Sequence, residues 1–207
     1  MHSFRIAIFW LLVLALGGCA SVQPISDADR KSVTSVTINP GVTKSPDMFY
    51  LGPGSSVGLM FGAIGALVAA PSMERSRKSF QEFAEKHNLS LERIVLEEVE
   101  GALRRVGRMP LVAQPGPGAA VLHVSIPQWG FSVPNAFSSE VVPILLIRVE
   151  LKDAQGKVLW SASERTLTLG NPVASVKPDL IRNDARAMEA SWRGAARHIA
   201  AEIAKSY

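Results

Sequence analysis

Gly54-Ser55-Ser56-Val57-Gly58 is the segment that comes nearest to a catalytic motif, because it matches the Gly-x-Ser-x-Gly pattern of a nucleophile elbow. Ser56 would then be the nucleophile of a serine hydrolase. Asp179 or Asp184 and then His198 follow in the hydrolase order Ser, Asp, His. However, no series of βαβ units precedes the motif, and His198 falls within a predicted helix rather than in a loop. A hydrolase is therefore a minor alternative, and we expect no enzymatic activity.

The sequence contains no motif whose spacing predicts a metal site, a cofactor site or a nucleic-acid-binding site. The histidines at 87, 123 and 198 are scattered, without a His-x-x-x-His pair or a carboxylate at ligand spacing. No Gly-x-x-x-x-Gly-Lys segment predicts a phosphate-binding loop. The net charge of +4 is mild, and no block of Lys and Arg is interleaved with aromatic residues. We therefore predict no metal, no cofactor and no nucleic-acid partner.

Cys19 is the single cysteine of the chain, and the residues before it indicate the chemistry of its sulfur. Arg5 is followed by an unbroken apolar run from Ile6 to Leu16. Such a run has the length of a signal-peptide core and falls short of the roughly 20 residues of a transmembrane helix. The run ends in Leu16-Gly17-Gly18-Cys19, which resembles the signal of bacterial lipoproteins.

This resemblance implies cleavage between Gly18 and Cys19, which makes residues 1–18 a signal peptide. It also implies that the sulfur and the new amino group of Cys19 carry acyl chains, and two or more such chains anchor a protein stably. Ala20, rather than Asp, is typical of outer-membrane retention in enteric-type bacteria. We expect an outer-membrane lipoprotein that faces the periplasm. The alternatives are an ordinary secretory signal with a chance cysteine, or an uncleaved anchor.

The segment from Val57 to Ala70 contains only apolar residues and glycine. Small residues recur at every fourth position around it and would share one stripe of a helix: Gly54, Gly58, Gly62, Ala66 and Ala70. A helix that is apolar all round must be buried, and a small-residue stripe lets a second helix approach closely. Two interpretations stay open. The segment packs against the domain's own sheet, or it enters the membrane or joins copies of the chain into a homo-oligomer.

The remaining sequence predicts one α+β domain over residues 33–207, with this glycine-rich apolar insertion at about 52–71. Residues 19–32 are polar and read as a tether behind the lipidated cysteine. A charged helix is expected to start at Ser72, after Pro71, and the best helix lies between Ser90 and Gly107. A run of strands follows, then a last helix expected to begin at Asp179. We expect a two-layer sandwich, in which two amphipathic helices cover one face of a mostly antiparallel sheet.

The hairpin from Ile144 to Trp160 resembles one found in small periplasmic lipoproteins. It has an apolar strand, an Asp153-Ala154-Gln155-Gly156 turn and a Val-Leu-Trp return, and an Ala-rich helix over 185–205 follows. The group includes transport-auxiliary lipoproteins, the lipopolysaccharide-assembly lipoprotein LptE and domains like the N-terminal domain of TolB. Its members are mostly non-enzymatic partners of larger machines. The resemblance implies an accessory or binding subunit of an envelope transport or assembly complex, and it transfers no binding residues.

A Pro-containing loop over residues 127–139 supplies the candidate contacts for such an envelope partner. Its aromatic side chains, expected to be exposed, are Trp129, Phe131 and Phe137. The alternative is that these side chains fold back onto the edge of the domain.

Overall fold

The computed structural model describes residues 21–53, 62–116 and 118–207. Within these ranges the chain forms an α+β fold with a mixed seven-stranded sheet, which confirms the predicted class. The signal-peptide residues, Gly18 and Cys19 lie outside the described residues, as do Gly54, Ser56 and Gly58.

Three long antiparallel strands form the centre of the sheet: β5 (Ala119–Ser132), β6 (Val142–Lys152) and β7 (Val158–Arg165). At one edge β1 (Ser21–Gln23) pairs antiparallel with β7. The other side of β5 is lined by three short strands that run parallel to it: β2 (Ser35–Ile38), β3 (Thr43–Lys44) and β4 (Phe49–Leu51). The pairs of long strands are thus antiparallel as predicted, whereas the sequence does not predict the three short strands parallel to β5.

Alternation along β6 separates the two faces of the sheet. Leu145, Ile147, Val149 and Leu151 are buried, whereas the intervening side chains of Arg148, Glu150 and Lys152 reach the polar face. Successive side chains of a strand point to opposite faces, so one face meets the core and the other meets water.

Two amphipathic helices cover the buried face: α3 (Leu91–Val106) and α5 (Ala185–Lys205). The Ser90 hydroxyl accepts from the amide of Arg93, and Gly107 ends α3 at φ 67°, so both predicted caps are confirmed. The predicted start of the last helix at Asp179 is wrong. A short helix α4 (Pro178–Asn183) comes first, and Asp184 caps α5 through the amides of the next turn. The expected stripe of α5 is buried: Met188, Trp192, Ala195, Ile199 and Ile203.

Glu98 joins these two helices through charged hydrogen bonds at the border of the core. Only 8% of it is exposed, and its carboxylate accepts from Arg197 Nε at 3.1 Å and from Arg193 at 3.3 Å. Burial alone would raise the pKa of Glu98, but the bonds from Arg197 and Arg193 outweigh it and hold that pKa below its usual range. This network joins the two helices of the layer to each other.

Helix α2 (Gly62–Lys86) runs without a break through Pro71. The predicted restart of the chain at Ser72 is therefore wrong. Proline lacks an N–H, so the helix continues with one backbone bond fewer at this point. The second half of α2 packs on the domain, where Phe80 is fully buried with its ring 5.1 Å from that of Tyr50 and 5.9 Å from that of Phe131.

Residues 21–32 belong to the domain, so the predicted tether is wrong over this range. Besides β1 they form α1 (Asp27–Ser32), which Ser26 caps. Asp29 forms an ion pair with Lys157 at 2.9 Å, and Arg30 donates to the main-chain oxygen of Tyr207 at 2.8 Å. A polar composition is typical both of a tether and of a short capped helix at a sheet edge, so composition alone does not distinguish them.

Candidate functional site

The two ends of the sheet carry different connections. Because β5, β6 and β7 are antiparallel, the loops over 133–141 and 166–177 lie at one end, which we call the loop end. The turn over 153–157 lies at the opposite end, which we call the hairpin end. The chain also enters β1 and leaves β4 on the loop-end side, since β1 is antiparallel to β7 and β4 is parallel to β5.

Large apolar side chains are exposed on both loops of the loop end. Phe137 is 92% exposed, Leu169 78% and Leu167 47%. The two loops lie side by side where Val141 and Val176 exchange a pair of backbone hydrogen bonds of 2.9 Å each. Single exposed apolar residues are ordinary, but several on one joined surface indicate a contact with a partner or with lipid.

Local hydrogen bonds hold this surface in place. The buried Thr166 hydroxyl donates to the carbonyl of Pro143 at 3.0 Å and accepts from the amide of Leu145 at 2.9 Å. Asn171 donates to the carbonyls of Pro143 and Leu167, both at 2.9 Å. The backbone around Leu167 is thus bonded to the start of β6, and its exposed neighbours are presented on an ordered loop.

Phe137 is presented in the same way on the other loop. Its amide donates to the Asn135 side-chain oxygen at 3.0 Å, which closes an Asx turn. Across the surface, Glu140 accepts a hydrogen bond from the Ser175 hydroxyl. Phe137 is therefore exposed on a turn that hydrogen bonds hold in place.

The predicted exposure of Trp129 and Phe131 is wrong. Strand β5 extends to Ser132, which leaves Trp129 3% exposed and Phe131 fully buried. The Trp129 indole donates to the carbonyl of Ser45 at 2.8 Å, and the Lys44 ammonium lies 4.4 Å from its ring centroid. These two aromatic residues fill the core from strand β5, so they are neither exposed nor part of a loop that folds back onto the domain edge. Of the three candidates, only Phe137 is available for a partner contact.

The structure describes the acidic and histidine candidates for a hydrolase site, and it does not bring them together. Asp184 caps α5 and His198 follows fourteen residues later in the same helix, which separates them by about 21 Å. The carboxylate of Asp179 lies 3.4 Å from Arg182 instead. Over residues 21–53, 62–116 and 118–207, no group of three His, Cys, Asp or Glu side chains is arranged to hold a metal ion.

The small-residue stripe is described only in part. Gly62, Ala66 and Ala70 lie in α2. Extending the apolar segment to bilayer length would require residues 48–53 as well, but β4 occupies Phe49–Leu51. Among the helices described, none is long and apolar enough to cross a membrane.

No protein-family model and no curated protein matches this chain. Among solved structures, it is similar to a PelC dodecamer from Paraburkholderia phytofirmans in space group P6. The identity is 14% and the TM-score 0.42, over 91% of this chain and 98% of that one. A PelC dodecamer from the same organism with a leucine-to-methionine substitution matches at 14% identity and a TM-score of 0.35, over 90% of this chain and 95% of that one. At these TM-scores neither likeness supports an inference about function.

Proposed function

We propose that this protein is a lipid-anchored, periplasm-facing protein of the outer membrane. It acts as a non-enzymatic accessory or binding subunit of an envelope transport or assembly complex. The observation that carries the proposal is the start of β1 at Ser21, only two residues after Cys19. An extended chain spans at most about 3.6 Å per residue, so an acylated Cys19 would lie within roughly 7 Å of the sheet. The domain would then rest on the bilayer instead of hanging from a long tether.

The loop end is the part of the domain that would face the lipid. The chain enters β1 from that side, and Phe137, Leu167 and Leu169 are exposed there. Burying a large apolar side chain fully contributes about 1.5–3 kcal/mol, so partial insertion of three of them would orient the domain. The acyl chains would supply the affinity for the membrane, and the loop end would set the orientation of the domain on it.

The accessory role rests on the resemblance of the β6–β7 hairpin and α5 to small periplasmic lipoproteins. With the loop end on the membrane, the polar face of the sheet remains open to the periplasm, with Arg148 exposed on it and Glu150 and Lys152 partly exposed. That face would be available to a protein partner of the complex.

The anchor is tested by replacing the single cysteine that would carry it. Full-length protein and the Cys19→Ala variant are expressed in a Gram-negative host, and membrane and soluble fractions are compared. Mass spectrometry of the N-terminal peptide reports acylation. We expect acylated wild type in the outer membrane and an unacylated, folded variant outside it. An Ala20→Ser control should behave as wild type. An unacylated Cys19 in the wild type would overturn the proposal.

The second candidate function is self-assembly through the small-residue stripe. It is favoured by the helical conformation of Gly62–Ala70, which continues directly into the docked half of α2. The variant Gly58→Leu with Gly62→Leu should then abolish oligomers seen in mild detergent, while Ile64→Leu, which lies off the stripe, should leave them unchanged. Oligomers that persist in the stripe variant would reject the stripe as their interface.

A further inference from the structure

An open pocket between α2 and α4 is lined by cations and hydroxyls. Its volume is about 340 Å³. Positions i, i+3, i+4 and i+7 of α2 share one helix face, and that face contributes most of the lining. The lining residues are Ser72, Arg75, Ser76 and Ser79 from α2 and Arg182 from α4. Two guanidinium groups therefore face a pocket that no carboxylate lines.

Arg182 is held in the pocket by stacking on an aromatic ring and by one long ion pair. Its guanidinium carbon lies 4.9 Å from the ring centroid of Phe80, which is fully buried. Asp179 approaches one terminal nitrogen at 3.4 Å, and its own side chain is 86% exposed. The Nε atom is buried without a hydrogen-bond partner among the described residues. Stacking thus fixes the planar fork of Arg182, and its ion pair with Asp179 is long and exposed to water.

Arg75 differs from its neighbour Arg77 on the same helix. Arg77 faces β4 and is fully engaged, by Glu74 at 2.7 Å and by Asp47 at 3.0 Å. Arg75 donates only to the carbonyl of Pro71 at 3.3 Å, and within the described part of the chain no carboxylate lies in ion-pair range of it. The helix therefore neutralises the arginine that faces the sheet and not the one that faces the pocket.

The hydroxyls add donors between the two arginines. Ser76 and Ser79 are partly buried, and neither has a hydrogen-bond partner in residues 21–53, 62–116 and 118–207. A serine hydroxyl can donate to an anionic oxygen, and a guanidinium fork matches two oxygens of a phosphate at once. Two guanidinium forks and two hydroxyls that line one pocket form a donor set that suits a phosphate group.

We propose that this pocket binds a phosphate group, carried either by a lipid headgroup or by a free ion. The lipid source fits the sequence of α2, because the apolar residues Gly62–Ala70 lead directly into the pocket face at Ser72. The site is built within the domain and does not depend on acylation of Cys19.

The test compares two double variants of the full-length protein in a non-ionic detergent. Arg75→Gln with Arg182→Gln removes the pocket cations. Lys78→Gln with Lys86→Gln removes the same charge from exposed positions of the same helix. Binding of inorganic phosphate is measured by calorimetry, and retention of phosphatidylglycerol against diacylglycerol is measured by native mass spectrometry. We expect the pocket variant to lose about 10-fold or more in affinity and the control to stay within about 2-fold.

The two probes separate the sources. Retained phosphatidylglycerol that inorganic phosphate does not displace identifies a lipid headgroup, whereas binding of inorganic phosphate that the pocket variant loses identifies a free ion. Thermal unfolding of each variant is recorded, since Arg182→Gln also removes the stack on Phe80. If that variant is unfolded, Ser76→Ala with Ser79→Ala takes its place, with an expected loss of about 3-fold. Equal binding by pocket and control variants, or binding of neither probe by the wild type, would overturn the proposal.

Discussion

Hydrogen bonds order the turns at both ends of the sheet, but the two ends expose different kinds of side chain to solvent. At the hairpin end, the Asp153 carboxylate accepts from the amides of Gln155 and Lys157, each at 2.9 Å, and Lys157 pairs with Asp29. At the loop end, Asn and Thr side chains bond the turns just as closely, yet Phe137 and Leu169 point into solvent. Apolar exposure at the loop end is therefore a feature of ordered loops, which is why we propose that this end faces the membrane.

Gly130→Ala should have the largest effect and tests how tightly β4 lies against β5 near the loop end. Gly130 has φ 145°, and an added Cβ would collide with the backbone oxygen of Phe49. We expect the free energy of unfolding to fall by about 3 kcal/mol or more in urea titration, because β4 must move away.

The matched control lies at the hairpin end. Gly156 also has positive φ, at 83°, but an added Cβ there meets nothing within 4 Å. Gly156→Ala should cost only about 1–2 kcal/mol of backbone strain. Equal losses in the two variants would show that the close approach of β4 is not a constraint on the fold.

Asn171→Ala removes a polar clamp of the loop end. The Asn171 side chain donates to two carbonyls and accepts from the amide of Val173 at 2.9 Å. We expect a loss of about 1–3 kcal/mol, since partners of these bonds are left unpaired. The loss should be the same at pH 4 and pH 7, because no charge is involved. A strongly pH-dependent loss would contradict this account of the loop end.

The hairpin end should instead respond to pH through Asp29. The hydrogen bond from Lys157, together with that from Ser26, lowers the pKa of Asp29. A carboxyl whose pKa is lower in the folded state contributes stability above its unfolded pKa, and this contribution is lost as pH falls through the folded value. Asp29→Asn should therefore flatten the stability profile below about pH 4 relative to wild type. Unchanged steepness would show that the pair is too exposed to matter.

Phe137→Ser with Leu169→Ser should change stability least. Both side chains are mostly exposed, so the free energy of unfolding should stay within about 0.5 kcal/mol of wild type. A larger loss would mean that the loop end packs against itself and is not reserved for an external contact.

Regular elements could be predicted from the sequence where one periodicity holds throughout. The alternation of β6, the stripe of α5 and the caps of α3 at Ser90 and Gly107 all follow such local rules. The end of β5 could not be predicted this way. Buried residues fall at even positions up to Ile126, and a register shift between Ser125 and Gln128 moves them to the odd positions of Trp129 and Phe131. The break in alternation therefore had the pattern of a loop.

Long-range contacts explain the other differences. Pairing with β7 turns residues 21–23 into a strand, although their composition is that of a linker. Packing of Phe80 on Tyr50 and Phe131 anchors α2, which continues through Pro71 despite the lost backbone bond. The exposed apolar residues of the loop end could be predicted only in part. The sequence predicts that Phe137 is exposed in a loop. Nothing in the sequence distinguishes Leu167 and Leu169, because their exposure depends on how the fold places their loop.

The orientation of the domain on the bilayer is tested most directly by the depth of single labels. If Cys19 is acylated, a cysteine introduced at position 137 or 155 is the only free thiol, so each variant takes one fluorophore. The full-length labelled proteins are reconstituted in vesicles that contain lipids with brominated acyl chains. We predict strong quenching of the label at 137 and little at 155. Quenching at 155 with a water-exposed label at 137 would contradict the proposed placement of the loop end on the membrane.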